Sequence, residues 1–182
     1  MENMSISSTK LTYDDYVLFP SDGNRHEIID GRHYMNPAPS PRHQTVSRRI
    51  QFQLYQQIEL NDLGQVFNAP IDVQLSDTNV VQPDIVIILR DQHIITPTKI
   101  KGIPDLVIEI LSPSTKKYDQ QLKRQLYEQF QVPEYWIVDP ENQSIEQCLL
   151  GTNQKYAATS RSDTIDFAAT NSTVDLVQVW KT

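Results

Sequence analysis

From residue 43 to residue 63 the apolar side chains Val46, Ile50, Leu54 and Ile58 recur every fourth position, the stripe of an amphipathic helix that Gly64 is placed to close. A shorter helix is expected over residues 11–19, with Thr12 as its cap and Asp14 and Asp15 in the first turn. Between them, residues 25–34 alternate in short arms around Asp30-Gly31, a strong hairpin signal. Residues 66–75 and 80–89 are rich in β-branched side chains and flank the polar turn Ser76-Asp77-Thr78-Asn79, so they predict antiparallel strands, with Pro83 marking a bulge or an edge. Residues 105–111 are almost wholly apolar and predict a central strand. Ser112-Pro113-Ser114-Thr115 breaks it and can cap a helix over residues 116–130, whose buried stripe is Leu122, Leu126 and Phe130. Residues 135–138 form the next strand, and the β-helix-β order predicts a parallel crossover. Residues 145–150 and 155–159 suggest a hairpin around Gly151, and residues 174–180 a last strand. The expected class is α/β, a mixed sheet flanked by helices.

The 182 residues suit one domain spanning 1–182, and 38% hydrophobic with 21% charged side chains is the composition of a soluble globular protein. No apolar run approaches the roughly 20 residues of a membrane span, and no basic-then-apolar leader opens the chain, so a cytoplasmic location is expected. The single cysteine, Cys148, excludes an intrachain disulfide and a zinc-type thiolate cluster, and reads as a small packed hydrophobe. A net charge of −7 argues against coating nucleic acid by bulk electrostatics. Residues 99–124 are the net-basic stretch, with six cations (Lys99, Lys101, Lys116, Lys117, Lys123 and Arg124) against three acids. They form either a phosphate-facing patch or a solvated surface.

Two carboxylates stand where apolar side chains belong. Glu109 lies amid Val107, Ile108, Ile110 and Leu111, and Asp84 leads into Ile85-Val86-Ile87-Ile88-Leu89. Desolvating an unpaired carboxylate costs several kcal/mol, so each requires a metal ion, a cation or a cleft edge. If the two strands pair, both acids converge at one sheet end and suit a hard cation such as magnesium; otherwise Asp84 caps a turn and Glu109 pairs with a helix lysine. Lys123 serves either case: it forms a solvated i, i+4 pair with Asp119, or it reaches the sheet from beside the Leu122/Leu126 stripe. Tyr127 either packs or steadies that lysine. Tyr135 and Trp136 read as core residues. His43 reads as a helix cap or a phosphate contact, and the four histidines show no zinc spacing. Glu27, in a short strand, is by default an exposed pairing residue.

Taken in order, Glu27 with Asp30-Gly31, Pro41 near His43, Gln82-Pro83-Asp84, Pro104-Asp105-Leu106-Val107-Ile108-Glu109 with Ser112-Pro113-Ser114, then Asp119, Lys123, Tyr127 and Glu134-Tyr135-Trp136-Ile137-Val138-Asp139 resemble the Uma-family endonucleases of the PD-(D/E)XK superfamily. The resemblance covers residues 11–139. It implies a restriction-endonuclease-like core and Mg²⁺- or Mn²⁺-dependent hydrolysis of phosphodiester bonds, most naturally in DNA. It further implies catalytic roles for Glu27, Asp84, Glu109 and Lys123, and a metal held by Asp84, Glu109, the Ile110 carbonyl and Glu27. The superfamily lysine two residues after the second acid is replaced here by Leu111, so the resemblance moves the cation to Lys123, with Lys116 and Lys117 as weaker candidates. A homodimer is implied too, with residues 174–180 as one possible pairing edge. The displaced lysine leaves a second class open, a catalytically inactive nuclease-fold binding or assembly module. An enzyme acting on a small phosphate ester is a third.

Overall fold

The computed structural model describes residues 10–36, 38–112 and 116–181, and of residues 116–120 the backbone alone. The proposed cap at residues 113–115 and the side chains of Lys116, Lys117 and Asp119 lie outside the described residues.

The chain opens on α1 (Tyr13–Tyr16), where the Asp15 carboxylate accepts from the Thr12 amide at 2.8 Å. The hairpin β1 (Arg25–Ile29) and β2 (Arg32–Asn36) turns at Asp30 and Gly31, both at positive φ (50° and 73°). A side chain at Gly31 would also collide with Lys10. Next comes α2 (Pro41–Leu54), which continues into a wider π-helical turn, Tyr55–Glu59. Its cap is Ser40, whose hydroxyl accepts from the His43 amide, with Pro41 at the first helical position. His43 is therefore not the cap. Nor does Gly64 close the helix: it begins the next strand, where a Cβ would stand 2.4 Å from the Ile88 carbonyl oxygen.

Each of the two long strands expected after α2 is broken in two. β3 (Gly64–Asn68) pairs antiparallel with β6 (Ile85–Leu89), while β4 (Val73–Ser76) pairs with β5 (Asn79–Val81). Pro83, between β5 and β6, sits where the chain passes from one sheet to another, because it cannot donate to a ladder. After β7 (Ile100–Lys101) comes β8 (Leu106–Ile110), then α3 (Lys116–Gln129) and β9 (Glu134–Asp139). β8 and β9 are parallel, as the crossover pattern requires. The hairpin β10 (Ser144–Leu150) and β11 (Tyr156–Arg161) follows as expected. A second hairpin, β12 (Thr164–Phe167) and β13 (Ser172–Asp175), was not legible in the pattern.

The last expected strand is half wrong. After β13, residues Leu176–Trp180 form a helix, α4, capped by the Asp175 carboxylate, so they provide no strand edge for pairing two copies. Their spacing of Leu176, Val179 and Trp180 is helical, and it buries those three against α2.

The six-stranded sheet runs β11-β10-β9-β8-β6-β3 and the five-stranded sheet β2-β1-β5-β4-β7. In β6 and β8, Ile85, Ile87, Leu106, Ile108 and Ile110 pack with the α2 stripe and α4. The alternate residues Val86, Ile88 and Val107 face Leu126 and Tyr127 of α3 and Ile29, Val73, Val81 and Ile100 of the other sheet. Glu109 has the parity of this second layer, as does Glu27, two residues from Ile29.

Candidate nuclease site

Antiparallel pairing matches Ile85 with Ile108 and Val86 with Val107, so Asp84 and Glu109 meet one step beyond the last pair. The Ile110 amide donates to Asp84 Oδ2 at 2.8 Å, closing the sheet end. Both acids converge as expected, and both are buried.

The helix after β8 brings in the cation. Lys123 Nζ donates to Glu109 Oε1 at 2.8 Å and to Glu27 Oε1 at 2.9 Å, with 8% of its side chain exposed. It lies beside the Leu126 stripe, and its ammonium reaches the sheet, so no solvated helix pair is its role. Tyr127, one turn on, donates to the same Glu109 oxygen at 2.8 Å; it steadies the carboxylate rather than the lysine, and its ring packs in the core. Glu27 is 1% exposed, not the surface residue its short strand suggested. Its Oε1 also accepts from the Gln82 amide and its Oε2 from Asn36 Nδ2, each at 2.8 Å.

Three participants were given no role in the sequence reading, although Gln82 stood in the Gln82-Pro83-Asp84 motif. Arg25 Nη1 donates to Asp84 Oδ1 at 2.7 Å; its signal was parity, since it lies two residues before Glu27 on β1 and shares its face. Asn36, directly opposite Arg25 in the hairpin register, and Gln82 are the others. His43 Nε2 stands 3.0 Å from Asp84 Oδ2, so at the start of α2 it contacts the acid itself. The basic stretch is dispersed: Lys123 is buried here, Arg124 pairs with Glu146, and Lys99 covers the Tyr13 ring.

Electrostatics follow from burial. Burial alone would raise the Glu27 carboxyl, but Lys123, the Gln82 amide and Arg25 hold it below its ordinary range. Asp84 is likewise held low against its burial by His43, Arg25 and the Ile110 amide. Glu109 is pushed up to about 7 by burial, with the charges of Asp84 and Glu27 adding and Lys123 opposing. Burial would lower the Lys123 ammonium, yet Glu109 and Glu27 hold it above its usual value. Three carboxyl groups thus meet two fixed cations, Lys123 and Arg25, and the surplus becomes negative as Glu109 ionises around pH 7. Hard oxygen donors with surplus negative charge fit Mg²⁺ or Mn²⁺. Among the described residues no three Asp, Glu, His or Cys side chains stand as a ready-made metal cage. A cation would displace Lys123 or Arg25 contacts to bind.

A sequence profile of the family Uma2, described as "Putative restriction endonuclease", matches residues 13–174. The chain belongs to the Uma2 family. This Uma2 chain is 30% identical over 122 residues to the uncharacterized protein slr1290 of Synechocystis sp. (strain ATCC 27184 / PCC 6803 / Kazusa), covering 65% of the chain and 62% of that relative's length. Its fold matches a crystal structure from Anabaena variabilis ATCC 29413, titled as a putative nuclease belonging to DUF820. The TM-score is 0.78 at 16% identity, over 93% of this chain and 97% of the other. The restriction-endonuclease-like α/β architecture expected for the Uma2 chain is therefore the one it has. No helix among its described residues is long and apolar enough to cross a membrane.

Proposed function

We propose that this Uma2 protein is a metal-dependent endonuclease that hydrolyses phosphodiester bonds in DNA. The observation that carries this reading is the meeting of Asp84, Glu109 and Glu27 at one sheet end, where the buried Lys123 bridges Glu109 and Glu27 and the Ile110 amide holds Asp84 beside them. Asp84, Glu109 and the Ile110 carbonyl would hold Mg²⁺ or Mn²⁺, with Glu27 completing its ligand or water shell. When bound, such an ion polarises the phosphate and lowers the pKa of a bound water.

The chain's own residues do the rest. Lys123, freed from one carboxylate, orients the attacking water and offsets charge at phosphorus. Tyr127 fixes the Glu109 carboxylate through its hydroxyl, and the Ile110 amide fixes that of Asp84. Arg25 and His43 hold Asp84 charged before substrate arrives.

The test is incubation of supercoiled, linear and single-stranded DNA with the protein in Mg²⁺, Mn²⁺ or EDTA, beside Asp84→Asn, Glu109→Gln and Lys123→Met, with each variant's thermal midpoint recorded. The expected outcome is cleavage that EDTA abolishes and that each folded variant loses by at least about a hundredfold. Cleavage that survives in the Asp84 and Glu109 variants overturns the assignment.

One observation favours the non-catalytic binding module: each carboxylate already has a cationic or histidine partner within the chain. That module predicts no cleavage and no Mg²⁺-dependent rise in thermal midpoint, whereas a working site predicts a rise that Asp84→Asn removes.

A further inference from the structure

Although the protein is acidic, α2 carries Arg42, Arg48 and Arg49 and no acid along its fourteen residues. The overall charge hides this, because residues 1–98 hold twelve acids, nearly all outside the strands, against seven cations.

Along α2 runs an open groove of about 740 Å³. Gln44, Ser47, Arg48 and Gln51 form one wall from successive helical turns, and residues 68–70 form the other. Gln51 Nε2 donates to Asn68 Oδ1 at 2.8 Å and ties the walls together. Arg25, His43 and Asp84 line the same groove, so it opens on the candidate site. At Arg48 it adjoins a second depression of about 630 Å³ between α2 and α4, lined also by Arg49, Phe52 and Lys181. Arg48 is exposed, with no ion-pair partner among the described residues. Arg49 is already held by the carbonyls of Val179 and Lys181.

Two residues of the groove also carry orphaned polar atoms. Arg25 Nε and Gln82 Oε1 are buried with no hydrogen-bond partner among the described residues, the first on the guanidinium that grips Asp84. A donor left unpaired beside Asp84 is a group that an incoming polar ligand satisfies.

We propose that this groove seats the DNA strand flanking the scissile phosphate, with Arg48 as its phosphate-binding residue. The inference rests on the nuclease reading above and adds to it the path of the substrate. Five residues of helix separate His43 from Arg48, about 7.5 Å along the axis. That is on the order of the spacing between adjacent phosphates of one strand, which exceeds their rise of about 3.4 Å along the duplex axis because the backbone winds around it. A strand with its scissile phosphate at Asp84 thus brings a neighbouring phosphate against Arg48. The acid-free helix concentrates positive charge on this one track, while the remaining surface repels DNA.

The experiment is fluorescence anisotropy of a short fluorescein-labelled DNA, single-stranded and duplex, in EDTA over a series of salt concentrations. It is run on the wild type, Arg48→Glu, Arg48→Lys and Lys155→Glu, beside KM for cleavage in Mg²⁺. Lys155 is exposed just before β11, the edge of the six-stranded sheet opposite β3. The expected result is that Arg48→Glu weakens binding by about tenfold or more and lowers the slope of log affinity against log salt by about one. Its KM should rise with kcat largely kept, Arg48→Lys should retain most of the affinity, and Lys155→Glu should match wild type. DNA cleavage by the wild type with Arg48→Glu indistinguishable in affinity, slope and KM overturns the groove and leaves the nuclease reading standing. Equal losses in Arg48→Glu and Lys155→Glu also overturn it. A wild type that neither binds nor cuts DNA overturns both.

Discussion

A buried charge is acceptable only when its partners are complete, and here the partners come from far along the chain. Lys123 lies 96 residues from Glu27 in sequence yet 2.9 Å away in space. Glu109 and Asp84 announced themselves in the sequence because a carboxylate inside an apolar run is chemically conspicuous. Glu27 did not, since Ile28 and Ile29 follow it in an arm too short to show that Glu27 too faces inward. Arg25 and Asn36 gave less signal still, as polar residues at the end of a hairpin. Cys148 is the opposite case, an isolated polarisable group with no task at the site. It is fully buried, and burial pushes its thiol up to about 12. The thiol is therefore protonated near neutral pH, and the native protein should leave Ellman's reagent unreacted at pH 8 while guanidinium exposes one thiol per chain. Rapid reaction of the native protein would contradict the packing described here.

At the scale of elements, periodicity found the helices and most strands, and it failed where one element ends and another begins. The α2 stripe is real, yet Gly64, which resembles a helix stop, is the first residue of β3. What selects glycine there is close approach of two backbones: a Cβ would lie 2.4 Å from the Ile88 carbonyl oxygen and 2.9 Å from the Leu89 Cα. Because neither atom belongs to a flexible side chain, Gly64→Ala should destabilise the protein by about 1–3 kcal/mol in urea unfolding, as overpacking does. A helix-stop role would predict a much smaller loss, since β3 would not then depend on this position. Residues 174–180 teach the same lesson in reverse. Val174, Leu176 and Val179 fit a strand by composition, but Asp175 caps a helix and the following apolar residues fall on its inner face.

For the whole molecule, the site depends on two sheets being held together and on the C-terminal hairpin being pinned to them. Glu134, 2% exposed at the start of β9, does the pinning. Its Oε1 accepts from Trp136 Nε1 at 2.6 Å and Gln147 Nε2 at 2.8 Å, and its Oε2 from the Ala168 amide, just past β12, at 2.9 Å. Glu134→Ala strands the buried Trp136 Nε1, worth about 1–3 kcal/mol when left unpaired, whereas Gln147 Nε2 keeps the Asp166 carbonyl and the Ala168 amide lies at an exposed residue. The expected loss is about 1–3 kcal/mol in denaturant unfolding, with faster amide exchange in the β12–β13 hairpin. Unchanged exchange there would show that the hairpin holds by its apolar contacts alone. Tyr16, Asp72 and Gln82 make a comparable joint on the other side: the Tyr16 hydroxyl donates to Asp72 at 2.6 Å, and Gln82 Nε2 donates to Asp72 at 2.8 Å. The Gln82 amide then reaches Glu27, so the joint ends in the site.

By itself the sequence determined the order of most elements, the parallel β8-α3-β9 crossover, and two of the acids, because these depend on periodicity and on the cost of burying charge. Its ordered motifs also pointed to the family. Only the tertiary structure decided that the strands after α2 divide between two sheets and that β1 delivers Glu27 and Arg25 to the same site. It alone revealed that Lys123 bridges two carboxylates and that the cations lining the groove are Arg25 of β1 and Arg48 of α2 rather than any in residues 99–124. The physical reason is that an apolar stripe records which face of an element is covered, a local property. Which polar groups meet across those faces depends on register and crossing geometry between segments tens of residues apart.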